Sequence, residues 1–319
     1  MMPNEPAMDA PSLPPIERPW RQVLLLLWRD KFAFVAALFL LLMIFCALFG
    51  PSLLGDVATK MDLKQRNAPP LELERGWLFI LGADALGRSI LARIIVASQN
   101  TLAVAAAAVA AAMIIGGMLG LIAGYAGGWL GNVIMRLADI VMSFPSLLMA
   151  VVVLYMFEPR VANLILVLAL TRIPLYLRTC RAEVLEVRER MFVSAARVMG
   201  ASRWRILFRH IAPIVVPTLI TVATLDFAFV MLAESALSFL GIGIQPPEIT
   251  WGLMVAQGRN YLASAWWLAF WPGLAIMLTT MALNLLASWV RIAADPEQRW
   301  RLEVPAERPE PPAPGSALK

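Results

Sequence analysis

Residues 101–125 read TLAVAAAAVAAAMIIGGMLGLIAGY, a stretch without a charged side chain that is long enough to cross a lipid bilayer. A membrane-spanning helix needs about 20 mostly apolar residues at a rise of about 1.5 Å each. The whole chain has 319 residues, of which 60% are hydrophobic and only 15% are charged. A soluble domain carries about 25% charged residues and could not bury such an apolar excess. The sequence therefore predicts a protein that uses lipid as its second solvent.

Six apolar runs predict an all-α polytopic membrane protein. They cover residues 32–50, 101–125, 133–157, 161–178, 211–240 and 266–290. The third run contains Asp139 and Pro145 and the fourth contains Arg172 and Pro174, so both are expected to be interrupted. Proline is tolerated in membrane helices where neighbours satisfy the freed backbone groups. We therefore expect these two helices to lie inside the bundle.

The second run also carries a glycine at every fourth position, at Gly116, Gly120 and Gly124. Small residues at this spacing allow a second helix to approach closely. The approaching helix belongs either to the same chain or to a partner subunit, and the sequence leaves both interpretations open.

The distribution of Lys and Arg around the runs predicts their orientation. Basic residues cluster before the first run, between the fourth and fifth, and after the sixth, whereas 158–160 and 241–265 offer only Arg160 and Arg259. We expect both termini and the loop between the fourth and fifth runs on the cytoplasmic side. The predicted organisation is a flexible N-terminal segment at 1–31, a first helix with a periplasmic loop at 32–100, a core at 101–291 and a tail at 292–319 that is disordered at its end.

The loop between the fourth and fifth runs is rich in helix formers. Residues 186–213 read EVRERMFVSAARVMGASRWRILFRHIAP and predict two short amphipathic helices broken at 200–202. Ala195, Ala196 and Gly200 form a patch with almost no side chain, where another protein could approach the backbone, and Arg and Trp are typical interface anchors. The alternative is a basic helix lying on lipid headgroups. Lipid binding has no use for the small patch, which favours a protein interface.

The same residues resemble a known motif. Ser194-Ala195-Ala196, followed by Gly200 and, after nine more residues, by 210–213 (HIAP), resembles the EAA loop of ABC-importer permeases. In that family the loop docks into a cleft on a cytoplasmic ATPase subunit and transmits its motion. This chain has Ser194 where the family has Glu, and His210 and Ala212 where it has Ile and Leu. The resemblance implies that the ATPase contact is made by Ser194, Ala195, Ala196, Gly200, Ala201, Arg205 and Pro213.

Further stretches resemble the peptide and nickel branch of these permeases, on its C-type side. They are 81–88 (LGADALGR), 124–146 and 234–252. The likeness extends over most of the chain and is strongest to dipeptide and D,D-dipeptide members. This implies a type I importer permease fold in a bacterial inner membrane, with a cytoplasmic coupling helix between helices 4 and 5. It also implies a second permease, one or two ATPase subunits that bind ATP and Mg²⁺, and a periplasmic or lipid-anchored substrate-binding protein. No cofactor is expected in this chain.

Four charged residues fall inside the predicted spans. Asp139, Arg172, Asp226 and Glu234 would each be costly in hydrocarbon and should face the bundle interior or a wet cavity, usually paired. In one interpretation Arg172 pairs with Asp226 or Asp139 and locks helices together. In the other, Glu234 lines the translocation path and faces the cationic amino end of a peptide.

Other functions find little support in the sequence. It contains no G-x-x-x-x-G-K-[ST] phosphate loop, no H-E-x-x-H, no G-x-S-x-G and no cluster of metal ligands, so we expect neither an enzyme nor a metal site. The basic residues flank apolar runs, which argues against nucleic-acid binding. A secondary transporter is the nearer alternative but would show internal repeats. Within the importer family, nickel-chelate or opine-like cargo stays open beside peptides.

Overall fold

The computed structural model describes residues 26–72, 76–157 and 160–294, which form helices and turns with one isolated backbone bridge between Ala83 and Ser89. Of the predicted flexible segment 1–31, residues 1–25 lie outside this range, whereas residues 26–29 are helical. Of the predicted tail 292–319, residues 295–319 lie outside it, whereas residues 292–294 belong to the last helix. We number the helices in chain order: α1 Lys31–Thr59, α2 Ile90–Ala126, α3 Gly128–Ser143, α4 Ser146–Met156, α5 Val161–Val187, α6 Met191–Val198, α7 Arg203–Phe239, α8 Trp251–Gly258 and α9 Trp267–Ala294. Short 3₁₀ turns occur at Leu63–Gln65, Trp77–Phe79 and Arg259–Tyr261.

Five of these helices are long and apolar enough to span a membrane, and α3 with α4 make a sixth span if the pair is counted as one. The prediction of an all-α bundle with six spans is thereby confirmed. The interruption expected at Pro145 is also present, because α3 and α4 meet there at 87°. The interruption expected in the fourth run is wrong. Helix α5 continues through Pro174, since one missing N–H does not break a helix that is packed closely against a neighbour.

The two short helices predicted within 186–213 are only half correct. Helix α6 is short, but the second helix is the first part of α7. A π-helical stretch at Ile206–Ile211 keeps α7 continuous, with the N–H of Ala212 donating to the carbonyl of Leu207. Here the N–H donates to the carbonyl five residues earlier instead of four. The stretch ends directly before Pro213, which has no N–H to donate, and α7 continues through this proline without a break.

The glycine positions of α2 pack against α5 of the same chain. A Cβ added to Gly120 would lie 2.5 Å from the Cβ of Cys180, and one added to Gly124 would lie 2.7 Å from the Cβ of Val184. One added to Gly116 would lie 2.6 Å from the carbonyl oxygen of Ile173. The two helices run parallel along this contact. Of the two interpretations of the glycine spacing, the structure shows packing within the chain.

The bundle has two distinct ends. At one end, Arg188 donates to the carbonyl of Gly124 at 2.9 Å and so joins the last turn of α2 to the segment 186–213. At the other end, Arg93 donates to Asp84 at 2.8 Å and to Gln257 at 3.2 Å, which joins the loop before α2 to α8. The segment 186–213 therefore lies opposite the loop 60–89, as the predicted alternation of spans requires.

Candidate functional site

Helix α6 has two faces with different surroundings. Met191, Ser194, Ala195 and Val198 are spaced at i, i+3, i+4 and i+7 and are all exposed, and we call them the outward face of α6. Met191 and Val198 are each 89% exposed although both side chains are apolar. On the opposite side Val193 is fully buried and anchors the helix to the bundle. Such a face gains free energy only when something else covers it.

The turn after α6 requires glycine at position 200. The N–H of Gly200 donates to the carbonyl of Arg197 at 3.1 Å, and the N–H of Ala201 donates to that of Ala196 at 3.0 Å. This pair of bonds defines a Schellman helix end, which needs a left-handed residue, and Gly200 has a φ of +81°. Ser202 then accepts from the N–H of Arg205 at 3.3 Å and starts α7.

The residues expected to contact an ATPase lie together at this end of the bundle. No other atom of the described residues comes within 4 Å of a Cβ placed on Gly200, so the predicted small patch is open. Ile206 and Ile211, in the first part of α7, are buried. The structure leaves Ala196 and Ala201 half-buried and exposes Ser194, Ala195, Gly200, Arg205 and Pro213.

Arg172 of α5 pairs with Asp226 of α7. A guanidinium nitrogen of Arg172 forms an ion pair with one carboxylate oxygen of Asp226, and the Tyr176 hydroxyl donates to the other at 3.0 Å. The guanidinium also lies 4.3 Å above the ring centre of Phe229. Both charges are thus compensated within the membrane-spanning part of the chain, and the pair ties α5 to α7. Of the two partners left open for Arg172, the structure gives Asp226.

Asp139 of α3 has a different partner. Its carboxylate accepts from Arg178 of α5 at 2.6 Å, and Arg136 lies 3.8 Å away on its own helix. Both Asp139 and Arg178 are partly exposed, so this pair contributes less than a buried one. It holds the first half of the bent α3–α4 pair against α5.

Glu234 is fully enclosed near the far end of α7, with 0% of its surface exposed. The Ser238 hydroxyl donates to its carboxyl group at 2.8 Å, and the Ser235 hydroxyl lies at 3.3 Å. Ser238 also accepts from the N–H of Ile244 at 3.2 Å, which links this group to the loop before α8. Within the described residues Glu234 forms no ion pair, so the hydroxyls alone satisfy it. This geometry favours a structural role over contact with cargo.

Comparison with known proteins decides the family. A family model described as "Binding-protein-dependent transport system inner membrane component" matches residues 116–300. The chain belongs to this family. A second model, described as "N-terminal TM domain of oligopeptide transport permease C", matches residues 18–70 of the permease.

Individual relatives cover nearly the whole permease. It is 38% identical over 300 residues to a protein of Pseudomonas aeruginosa named di/tripeptide transport system permease protein, across 93% of this chain and 97% of the relative. It is 36% identical to a glutathione transport system permease protein of Pectobacterium atrosepticum, across 88% and 92% of the two chains. A dipeptide transport system permease protein of Alkalihalophilus pseudofirmus is 34% identical, across 91% and 95%.

The structure adds residues to the candidate site of this permease that the sequence-based prediction did not include. Met191 and Val198 complete the outward face, and their spacing with Ser194 and Ala195 could have revealed it. Arg178 as the partner of Asp139 carried no such signal, because the contact joins residues on different helices. In the described ranges no group of three or more His, Cys, Asp or Glu residues could hold a metal ion.

Proposed function

We propose that this permease is the membrane subunit of an ATP-driven importer of small peptides, coupled to cytoplasmic ATPase subunits through the outward face of α6. The exposed apolar pair Met191 and Val198 carries the proposal. Covering two such side chains would contribute on the order of 1.5–3 kcal/mol each. Between them, Ser194 and Ala195 leave room for a partner's backbone, which matches the resemblance of this segment to a coupling loop.

Small peptides are the cargo class that the relatives support. Di/tripeptide, dipeptide and glutathione systems are named among them, and each relative is aligned over most of its length. Nickel-chelate or opine-like cargo is the alternative within the same system type. Membership in a binding-protein-dependent family makes a secondary transporter the weaker candidate.

We propose the bacterial inner membrane as the location, with the 186–213 end of the bundle in the cytoplasm. Exposed Arg190, Arg203, Arg205 and Arg209 at this end follow the bias of basic residues toward the cytoplasmic side. On this assignment both termini are cytoplasmic, and the loop 60–89 with α8 faces the periplasm and its substrate-binding protein. ATP and Mg²⁺ belong to the ATPase subunits, and a second permease completes the path.

Within this function, the charged residues in the spans serve to hold the helices together. Arg172 with Asp226, and Asp139 with Arg178, fasten the helices that border the path. Glu234 fastens α7 to the loop before α8 through Ser238. A direct role in cargo contact for any of them stays a prediction.

Purification of the complex through a tag on this chain tests the proposal. We expect a second permease and ATP-binding subunits to co-purify, and mass spectrometry of the binding-protein cargo to identify short peptides. Reconstituted vesicles then allow measurement of peptide uptake and of ATP hydrolysis stimulated by the loaded binding protein.

A matched pair of variants locates the coupling surface. Met191→Glu places a charge on the outward face and should lower uptake at least about tenfold, because burying an unpaired carboxylate opposes docking. Met61→Glu makes the same change at a residue that is 62% exposed at the opposite end of the bundle, and the complex should keep its ATP-binding subunits on purification, whereas the Met191→Glu complex should lose them. Normal uptake by the Met191→Glu complex would refute the coupling assignment.

A further inference from the structure

A cleft of about 880 Å³ is lined in large part by the 186–213 segment, including Ala201 of the expected ATPase contact, but by none of the four residues of the outward face of α6. Its walls come from the last turns of α2, the start of α3, the end of α6, the turn after it and the start of α7. Arg197 lines it and sits on α6 in register with the buried Val193, not with the outward face. The cleft is thus a second feature at this end of the bundle and needs its own explanation.

Two guanidinium groups in this cleft have no acidic partner among the residues that the structure describes. Arg197 and Arg203 both line it, and neither forms an ion pair within the described residues. Other arginines nearby are paired: Arg188 with Glu189 at 2.9 Å and Arg190 with Glu186 at 2.7 Å. Two cations that line the same cleft and form no ion pair within the described ranges favour an anionic occupant, and a phosphate suits the planar donors of arginine.

The rest of the lining is apolar or aromatic. Ile122 and Leu130 line the cleft, and Ile122 lies about 4.5 Å deeper along α2 than Tyr125, which is in the last turn. Trp204 also lines it and is stacked on Phe208, with ring centres 5.7 Å apart and planes 10° apart. Tyr and Trp rings of this kind concentrate at membrane–water interfaces. The occupant should therefore be an amphiphile that joins an anion to hydrocarbon.

We propose that this cleft binds an anionic phospholipid, with the phosphate between Arg197 and Arg203 and the acyl chains on the side of Ile122 and Leu130. A basic pocket between spanning helices, at the level of the headgroups, is the arrangement that binds such lipids. Because Arg197 belongs to α6, the bound lipid would brace the helix whose other face we assign to the ATPase. The lipid site itself does not depend on that assignment.

Native mass spectrometry of the purified, delipidated complex tests the proposal. The complex is titrated with phosphatidylglycerol or with phosphatidylcholine of the same acyl length. Each arginine near an anionic lipid contributes about fivefold in affinity, so the double variant Arg197→Gln/Arg203→Gln should bind phosphatidylglycerol about 30-fold more weakly. Arg209→Gln removes a charge from the same segment outside the cleft and should keep the affinity.

Several outcomes would overturn the lipid site. One is that the wild-type complex binds the two lipids equally well, and another is that the double variant keeps the wild-type affinity for phosphatidylglycerol. The third such outcome is that Arg209→Gln lowers this affinity as much as the double variant does. Loss of an ATPase subunit from the double variant with lipid binding intact would assign the cleft to a protein partner instead. If the double variant does not fold, photoactivatable phosphatidylglycerol on the wild-type complex must label the peptides that contain Tyr125 or Trp204, and labelling elsewhere alone refutes the site.

Discussion

Substitution of Gly120 by alanine tests the packing of α2 against α5. The added methyl group would lie 2.5 Å from the Cβ of Cys180 and 2.7 Å from the carbonyl oxygen of Leu177. Carbon atoms in contact are normally about 3.5–4.0 Å apart, so the two helices must separate by about 1 Å. Overpacking of this kind costs about 1–3 kcal/mol, against which a helical Gly→Ala change gains about 0.5–1 kcal/mol.

Gly273→Ala is the matched control. Gly273 also lies within a spanning helix, α9, and apart from its chain neighbours and its own helix backbone, no atom in the described part of the chain comes within 4 Å of a Cβ placed there. Gly273→Ala should gain only the stabilisation of a helical Gly→Ala change. The free energies of unfolding of the two variants are therefore expected to differ by about 1–3 kcal/mol, the cost of overpacking. The unfolding midpoint of the isolated subunit in detergent, followed by the fluorescence of its 11 tryptophans, measures the difference.

Use of the isolated subunit makes this measurement decisive. If Gly120 faced a partner subunit, Gly120→Ala would be as stable as Gly273→Ala in the isolated subunit and would fail only in the complex. Equal stability of the two variants would therefore refute the packing of α2 on α5 within one chain.

Three further predictions concern charges and orientation. Asp226→Asn leaves Arg172 without its ionic partner inside the membrane and should destabilise the subunit by about 3–5 kcal/mol, and the charge-swapped double variant should recover part of this if the pair acts as a unit. Glu234→Gln keeps the size and one acceptor for the surrounding hydroxyls, so assembly and peptide uptake should persist; an assembled complex without uptake would instead support a role in the path. In a cysteine-free background, an impermeant thiol reagent added outside the cell should label Asp62→Cys but not Ser202→Cys, and the reverse pattern would overturn the orientation.

The existence of the spans could be predicted from the sequence, but their limits could not. Apolar runs of about 20 residues leave few alternatives to membrane helices, and the structure confirms the predicted number of spans when the bent α3–α4 pair is counted as one. The start of α2 was missed by eleven residues because Arg93, Gln99 and Asn100 look unlike a span. Arg93 is satisfied by Asp84 and Gln257, and Asn100 donates to Glu248 at 2.8 Å. Such distant partners leave no trace in a local pattern.

In the candidate site too, some features could be predicted from the sequence and others could not. The need for a glycine at position 200 follows from local backbone chemistry, which a sequence displays directly. Proline alone does not decide a break, because the chain bends at Pro145 but α5 continues through Pro174. The choice of Asp226 over Asp139 as the partner of Arg172 depends on the relative rotation of α3, α5 and α7. Packing of whole helices sets that rotation, so only the structure resolves it.

Photo-crosslinking from the outward face of α6 tests the proposed coupling most directly. A photoreactive group on Val198→Cys, in a cysteine-free permease assembled in its native complex, should crosslink to an ATP-binding subunit. The yield should change when ATP and Mg²⁺ are added, since the contact is proposed to transmit motion. The same group on Met61→Cys should not reach that subunit. A crosslink from Val198→Cys to lipid alone, in a complex that retains its ATPase and its transport, would contradict the assignment.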